Sequence, residues 1–478
     1  MVFSSVVFIF YFLPIFLACY LTLPFKHAVL LFFSLCFYAY GEVLYTYIML
    51  ISIVLNWAFG IFLGAAAEGR SRQVVLAVGV TANLTALCYF KYLGFFHDIA
   101  AEIVPSLVSG PRPDVHLPLG ISFFTFHAIS YLIDVYRRQV PVERSLMYVA
   151  VYITMFPQLV AGPIIRFHNI REELHHRRAT LAMFTAGIQI FIVGLAQKVL
   201  IANTMAVPAD AVFALDPATL AAPVAWLGIT CYTLQIFFDF CGYSTMAVGL
   251  GLMIGFHFPE NFRDPYAASS ITDFWRRWHI SLSLWFRDYL YIPLGGSRAG
   301  PLATYRNLLI VFLLCGLWHG ANWTFVVWGL WHGGFLVIER LGVSRLLEAC
   351  GAVVRHVYVM LVVMVGWVFF RADTIDHALG MLRAMAGWGR LDENAAVLGQ
   401  FLTPEVDLAL LVGVVAATPL MGNAVQSGIE WLSGACGGGV LGRRIADGVY
   451  LALIVASFLL AVTSLAAGTY NPFIYYRF

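Results

Sequence analysis

Apolar runs long enough to cross a bilayer follow one another along nearly the whole chain, and they constrain its fold more than any other feature. They lie near 5–22, 28–45, 47–66, 74–95, 117–135 and 147–165, then near 181–204, 220–238, 243–258, 304–318, 321–338, 352–370, 405–421 and 446–467. Lipid offers backbone N–H and C=O groups no partners, so a spanning run must satisfy them internally as a helix. Some runs are short or interrupted by Gly and Pro, as in the 157–163 stretch PQLVAGP, which predicts re-entrant segments. The expectation is an all-α, polytopic membrane protein with about ten to eleven tilted spans plus re-entrant and interfacial helices. The opening MVFSSVVFIFYFLPIFLACYLTLPFK has no basic leader and no small-x-small cleavage site, so it reads as a first span.

Charge is scarce enough to support this. Only 11% of the residues are charged and 61% are hydrophobic, against about 25% charged in soluble domains. A net charge of +2 with no basic patch predicts no nucleic-acid partner. The eight cysteines form no C-x-x-C pair, so neither a disulfide framework nor a bound metal is expected. No linker separates a second domain, and residues 1–478 read as one intramembrane unit. Lys26, Arg70, Arg72, Arg137, Arg138 and Arg144 fall on one set of loops. Glu42, Asp98, Glu102 and Asp114, with Arg112, fall on the other, which predicts an external N-terminus.

Three stretches carry potential chemistry. Cys315–Gly334 reads CGLWHGANWTFVVWGLWHGG and places His319 and His332 among apolar residues. An ionisable group there is costly and needs a function or a partner. On one continuous helix they would be rotated by about 220° and separated by about 20 Å, too far for one site. His319 is the favoured catalytic residue. Residues 270–290, SITDFWRRWHISLSLWFRDYL, predict a helix opened by a Ser270/Asp273 capping box. Arg276, Ser283 and Arg287 oppose its broad apolar face, and His279 stands at the edge. Such a helix should lie at the membrane interface or line a polar cavity. Residues 163–178, PIIRFHNIREELHHRR, predict a solvated loop drawn to anionic headgroups, or a docking surface for a phosphate-bearing donor or carrier paired by Arg166, Arg171, Arg177 and Arg178. Two intramembrane histidines fit an acyltransferase, a proton-coupled transporter or a haem protein. No G-x-S-x-G, P-loop or H-E-x-x-H is present.

Longer motifs narrow this choice. LPLGISFFTFHAISYLIDVYR (117–137), FPQLVAGPIIRF (156–167), FFDFCGYSTMAVGLGLMIGFHFPENFRDPY (237–266), FWRRWHISLSLWFRDYLYIPLGG (274–296) and GLWHGANWTFVVWGLWHG (316–333) resemble the membrane-bound O-acyltransferases. The resemblance is to their bacterial alginate O-acetylase-like and D-alanyl transferase-like branch, and it runs nearly the full length. It implies a ring of helices around a thinned centre, a catalytic core over about 117–340 and a multi-pass protein of the bacterial inner membrane with a periplasmic N-terminus. The implied reaction moves an acetyl group from a cytoplasmic thioester, acetyl-CoA, to an extracytoplasmic polymer such as an alginate-like exopolysaccharide, cellulose or peptidoglycan. No tightly bound cofactor is implied. The implied partners are a periplasmic SGNH-like acetyltransferase, or a related polymer-modifying protein, and membrane lipids.

By the same resemblance His319, in Trp318-His319-Gly320, is the general base, and His279, in Arg277-Trp278-His279, orients it or polarises the carbonyl. Arg166, Arg276, Arg277 and Arg287 become candidate donor or phosphate contacts. Trp278, Trp318, Asn322, Asp239 and Tyr243 become candidate lining residues. His332 is read as structural. Cys241 and Thr245 depart from the D-F-S-G-Y-S-D-M form usual in the alginate branch. The aromatic tail 471–478 resembles the C-terminal F-x-Y-x-x-F motif of a small membrane protein that works beside the D-alanyl transferase. It makes Tyr475 a candidate acyl relay, with an interfacial anchor as the alternative. D-alanyl transfer from a carrier protein and proton-coupled transport remain the rival functions.

Overall fold

The computed structural model of the protein describes residues 1–108, 110–298, 300–388, 395–437, 439–468, 470–472 and 474, and among them there is no strand. The helices used below are α1 (Phe8–Thr22), α2 (Lys26–Ala39), α3 (Thr46–Ala65), α4 (Arg70–Ile103), α5 (Ile121–Tyr136), α6 (Phe167–His176), α7 (Leu181–Phe213) and α8 (Ala222–Met253). After them come α9 (Ile271–Arg277), α10 (Ile280–Phe286), α11 (Pro301–His319), α12 (Trp323–Ile338), α13 (Ala352–Arg371), α14 (Pro404–Ala416), α15 (Pro419–Ala435) and α16 (Gly439–Ala466).

Among the described residues, α3, α4, α7, α8, α11, α13 and α16 are each long and apolar enough to cross a membrane. The pair α14 and α15, bent by 84°, reaches that length only when taken together. The apolar helices α1, α2 and α5 are shorter. Two runs that look separate in the sequence, 220–238 and 243–258, are largely one helix, α8. The 147–165 run does not form one long helix: it is helical over Leu146–Thr154 and then crosses the core as the short turn Phe156–Leu159 and extended chain.

Helices α7 and α8 form the tightest pair in the core, and four glycines explain why. A Cβ on Gly187 would stand 2.6 Å from the carbonyl oxygen of Gly249, and one on Gly194 would stand 2.5 Å from that of Gly242. Small residues at matching positions let helix backbones touch where lipid supplies no hydrophobic drive for association.

The charges fall at two ends. At one, Arg72 donates to the carbonyls of Val135 and Tyr136 at 2.8 and 3.1 Å, Arg137 donates to Asp288 O at 3.0 Å, and Arg138 pairs with Glu68. At the other, His116 meets Glu42 at 3.1 Å and Arg112 meets Asp98 at 3.1 Å. Arg72 and Asp98 both belong to α4 and are about 40 Å apart along it. The N-terminus and Asn471 belong to the acidic end, where Asn471 Nδ2 donates to Ser4 O at 3.0 Å.

Candidate active site

His319 is the last residue of α11. The 315–334 stretch is not one helix: the chain turns over Gly320–Asn322 and returns as α12, so the separation expected for a continuous helix does not apply. The hairpin is tight because Gly316 and Gly329 face each other, and a Cβ on Gly316 would stand 3.3 Å from Gly329 Cα. Asn322 starts the return helix, its Oδ1 accepting from Thr324 N at 3.1 Å while its Nδ2 donates to Asp373 O at 2.9 Å.

A helix end leaves its last carbonyls unpaired, and here α4 satisfies them. Tyr92 Oη donates to Leu317 O at 2.7 Å, and Lys91 Nζ donates to Trp318 O and reaches His319 O at 3.4 Å and Ser122 Oγ at 3.3 Å. Lys91 was not singled out from the sequence, although a lysine inside the apolar 74–95 run was the available signal. Lys91→Met is expected to lower turnover about tenfold by loosening the His319 turn, with Lys91→Arg recovering part of it. Equal turnover in Lys91→Met and wild type would remove Lys91 from this role.

His279 is not at the edge of a continuous helix. The expected 270–290 helix is broken into α9 and α10, and His279 sits between them, fully buried, with φ 45° and ψ 54°. A non-glycine residue in the left-handed region is held there by its surroundings. Ile280 N donates to Asn261 O at 2.9 Å and Arg263 N donates to Arg277 O at 3.0 Å, so the 261–263 segment takes the place of helix hydrogen bonds. The predicted cap at α9 is present: Ser270 Oγ accepts from Asp273 N at 3.0 Å. Buried Glu339 reinforces it, accepting from Ile271 N at 2.5 Å and Thr272 N at 2.9 Å.

Asn261 also fixes the state of His279. Asn261 Oδ1 accepts from Ser281 N at 3.2 Å and Ser281 Oγ at 2.8 Å, which assigns that atom as the oxygen. His279 Nδ1, 3.1 Å from the same oxygen, therefore carries a proton and donates it. In the neutral ring Nε2 then bears the lone pair, and it is buried with no polar partner among the described residues. Such a ring can accept a proton or a hydrogen bond at Nε2, but it cannot polarise a carbonyl from there without first being protonated.

Trp318 brings the two histidines together, its ring centroid lying 6.1 Å from that of His279 and 4.9 Å from that of His319. Trp328, not anticipated from the sequence, packs edge-on against His319 at 5.0 Å. The indole N–H groups of Trp318 and Trp328 are both buried with no acceptor among the described residues. Two cavities meet at His319. One, of about 290 Å³, is lined by Glu42, Lys91, His116, Ser122 and Trp318. The other, of about 10 Å³, is enclosed by Trp278, Trp328, Trp367, Phe370 and Ile474. His319 is the one residue that lines both.

The remaining candidates divide. His332 is packed between Trp275 and Trp328, with Trp275 Nε1 donating to its Nδ1 at 3.4 Å, and it lines neither cavity. Arg166 and Arg287 converge on Asp288 at the basic end, Arg277 pairs with Asp273 at 2.9 Å, and Arg276 is exposed; none lines a cavity at His319. Tyr243 stacks on Phe3 at 4.3 Å. Asp239 pairs with Lys198 at 2.6 Å and accepts from Ile474 N at 3.0 Å, which seats the start of the tail beside His319. Tyr475 lies outside the described residues. Among those described, no group of three or more His, Cys, Asp or Glu side chains is placed to hold a metal ion.

The sequence profile of the membrane-bound O-acyltransferase family matches residues 76–371, which contain both histidines and most of the helices around them. The chain belongs to this family. It is 43% identical to the probable alginate O-acetylase AlgI of Azotobacter vinelandii over the full length of both chains. The peptidoglycan O-acetyltransferase of Helicobacter pylori is 35% identical over 81% of this chain and 80% of its own. The teichoic acid D-alanyltransferase of Bacillus subtilis is 28% identical over 52% of this chain and 68% of its own. As a member of this family the protein is a multi-pass membrane O-acyltransferase, and the 117–340 region lies within the matched segment.

Proposed function

We propose that the protein transfers acetyl groups from acetyl-CoA through the bacterial inner membrane toward an extracytoplasmic polysaccharide, working with a periplasmic acetyltransferase of the SGNH type. The basic end faces the cytoplasm, and the N-terminus and tail face the periplasm. The observation that carries the reading is His319 itself: one imidazole at a helix end, shared by two cavities and flanked by two indole N–H donors with no acceptor among the described residues. The more similar relatives, named as a probable alginate O-acetylase and a peptidoglycan O-acetyltransferase, support acetyl over D-alanyl as the transferred group.

In this reading His319 takes the proton of the acceptor hydroxyl as its oxygen attacks the thioester carbonyl carbon. Negative charge then develops on the carbonyl oxygen, and the Trp318 and Trp328 N–H groups supply donors to it. Collapse breaks the C–S bond, and the thiolate leaves with the proton held by His319. His279, accepting at Nε2, orients the acceptor hydroxyl or His319 rather than the carbonyl.

The first acceptor is proposed to be Tyr475, whose phenol oxygen takes the acetyl group and passes it to the partner. Support comes from its neighbours in the chain: Pro472 O accepts from Lys198 and Ile474 lines the cavity at His319. The experiment is transfer from labelled acetyl-CoA to the purified protein, followed by mass spectrometry of the C-terminal peptide. Label on Tyr475, lost in Tyr475→Phe and in a His319 variant, is the expected result. Normal polymer acetylation by Tyr475→Phe would overturn the relay. Consumption of a D-alanyl carrier thioester but not of acetyl-CoA would overturn the donor.

A further inference from the structure

At the basic end, the turn between α1 and α2 and the C-terminus of α6 enclose a cavity of about 790 Å³, larger than either cavity at His319. Lys26, His27, His175, Arg177 and Arg178 line it, and among the described residues no carboxylate does. Its donors outnumber its acceptors. Arg177 Nε donates to Tyr20 Oη at 2.9 Å, and its guanidinium lies 4.6 Å from the ring centroid of Phe256, so the group is held rigidly. Its Nη2 is buried with no acceptor among the described residues. His27 Nε2 is 2.7 Å from Leu174 O and 2.8 Å from Arg177 Nη1, so it can donate to the first or accept from the second, not both. Lys26 Nζ turns to the carbonyls of Tyr20 and Leu21, at the end of α1. Among the described residues the only carboxylate on these side chains is Glu143, which meets His175 at 2.8 Å outside the cavity.

A guanidinium nitrogen buried without an acceptor is costly, and a group with several acceptor oxygens and net negative charge answers the excess of donors. The rim identifies the rest of the ligand. Leu21, Phe25 and Met147 line the same cavity and are 49%, 72% and 42% exposed, an apolar border on the flank of a membrane protein. We propose that this cavity binds the phosphate headgroup of an anionic glycerophospholipid, with Arg177 and Lys26 on the phosphate and the acyl chains over Leu21, Phe25 and Met147. A soluble phosphate ester would meet the same donors and leave the rim uncovered. A choline headgroup would bring a further cation into a site already rich in them. The site is remote from His319 and does not depend on the acyl donor or acceptor. Its effect is to tie the α1–α2 turn to α6 on the cytoplasmic face.

The test uses the full-length protein in nanodiscs of phosphatidylcholine containing phosphatidylglycerol, taken into detergent and read by native mass spectrometry. One phosphatidylglycerol per chain is expected to persist, with phosphatidylcholine retained about tenfold less. Arg177→Gln should lower retention about tenfold. Lys26→Gln, on the turn, should do the same and keeps the test valid if the arginine variant fails to fold. Equal retention of the two lipids, or wild-type retention in both variants, would overturn the proposal. Displacement of the lipid by inorganic phosphate or free coenzyme A would overturn the lipid assignment in favour of a soluble phosphate ester.

Discussion

Replacing His319 with Asn is expected to lower acetyl transfer by about 10²- to 10⁴-fold, the range lost with a general acid–base group. The substitution also removes a ring packed against Trp318, Trp328 and Phe370, with centroids 4.9, 5.0 and 5.2 Å away, so some loss of stability comes with it. His332→Asn is the matched control. That ring is equally enclosed by aromatic neighbours but lines no cavity at the site, so its loss should lower thermal stability comparably and acetyl transfer by less than about tenfold. Trp328→Phe keeps a ring while removing the N–H, and the expected loss is about 10²-fold if that donor holds the oxyanion. Turnover in detergent-purified protein, measured beside thermal unfolding, separates the cases. A His319 variant within tenfold of the wild type, or a His332 variant as inactive as the His319 one, would move the chemistry elsewhere.

What the sequence could reveal follows from how far each interaction reaches along the chain. Hydropathy is local, so the helical membrane class and most helices were legible. The two histidines were legible for a related reason: an ionisable group in an apolar run is expensive, and the expense shows without knowing its partner. The breaks were not. The turn that buries His279 depends on Asn261, which lies 18 residues away, and the turn after His319 is closed by Lys91, 228 residues away. Helix α8 shows in the sequence as two runs because Asp239 interrupts the hydropathy. That gap closes once Lys198 lies beside the carboxylate, a fact no window along one segment contains. The candidate arginines lie away from the cavities at His319 for the opposite reason. Arg166 and Arg287 share Asp288, and their charge is answered at the basic end rather than at the site.

Breaking the same Lys198–Asp239 pair is expected to cost the fold heavily. Both side chains are almost wholly buried, at 1% and 2% exposure, and meet at 2.6 Å. Lys198 also donates to Asn203 Oδ1 at 2.7 Å and to Pro472 O, while Asp239 receives Ile474 N–H at 3.0 Å. Lys198→Met leaves a carboxylate buried without its cation, a change that costs about 3–5 kcal/mol, and thermal unfolding should show it as a large loss. Replacing both partners with apolar residues of similar volume is often nearly neutral, so Lys198→Met/Asp239→Leu should regain most of the lost stability. It cannot regain the tail, because the acceptor for Ile474 and the donor for Pro472 are both gone. Acetyl transfer to the polymer should therefore remain low in a double variant that is folded and stable. If stability and transfer return together, docking of the tail is incidental to catalysis and the Tyr475 relay falls. If stability returns alone, the ion pair serves to hold the tail at His319, which is a reason for a membrane helix to keep a buried carboxylate where an apolar residue would fold as well.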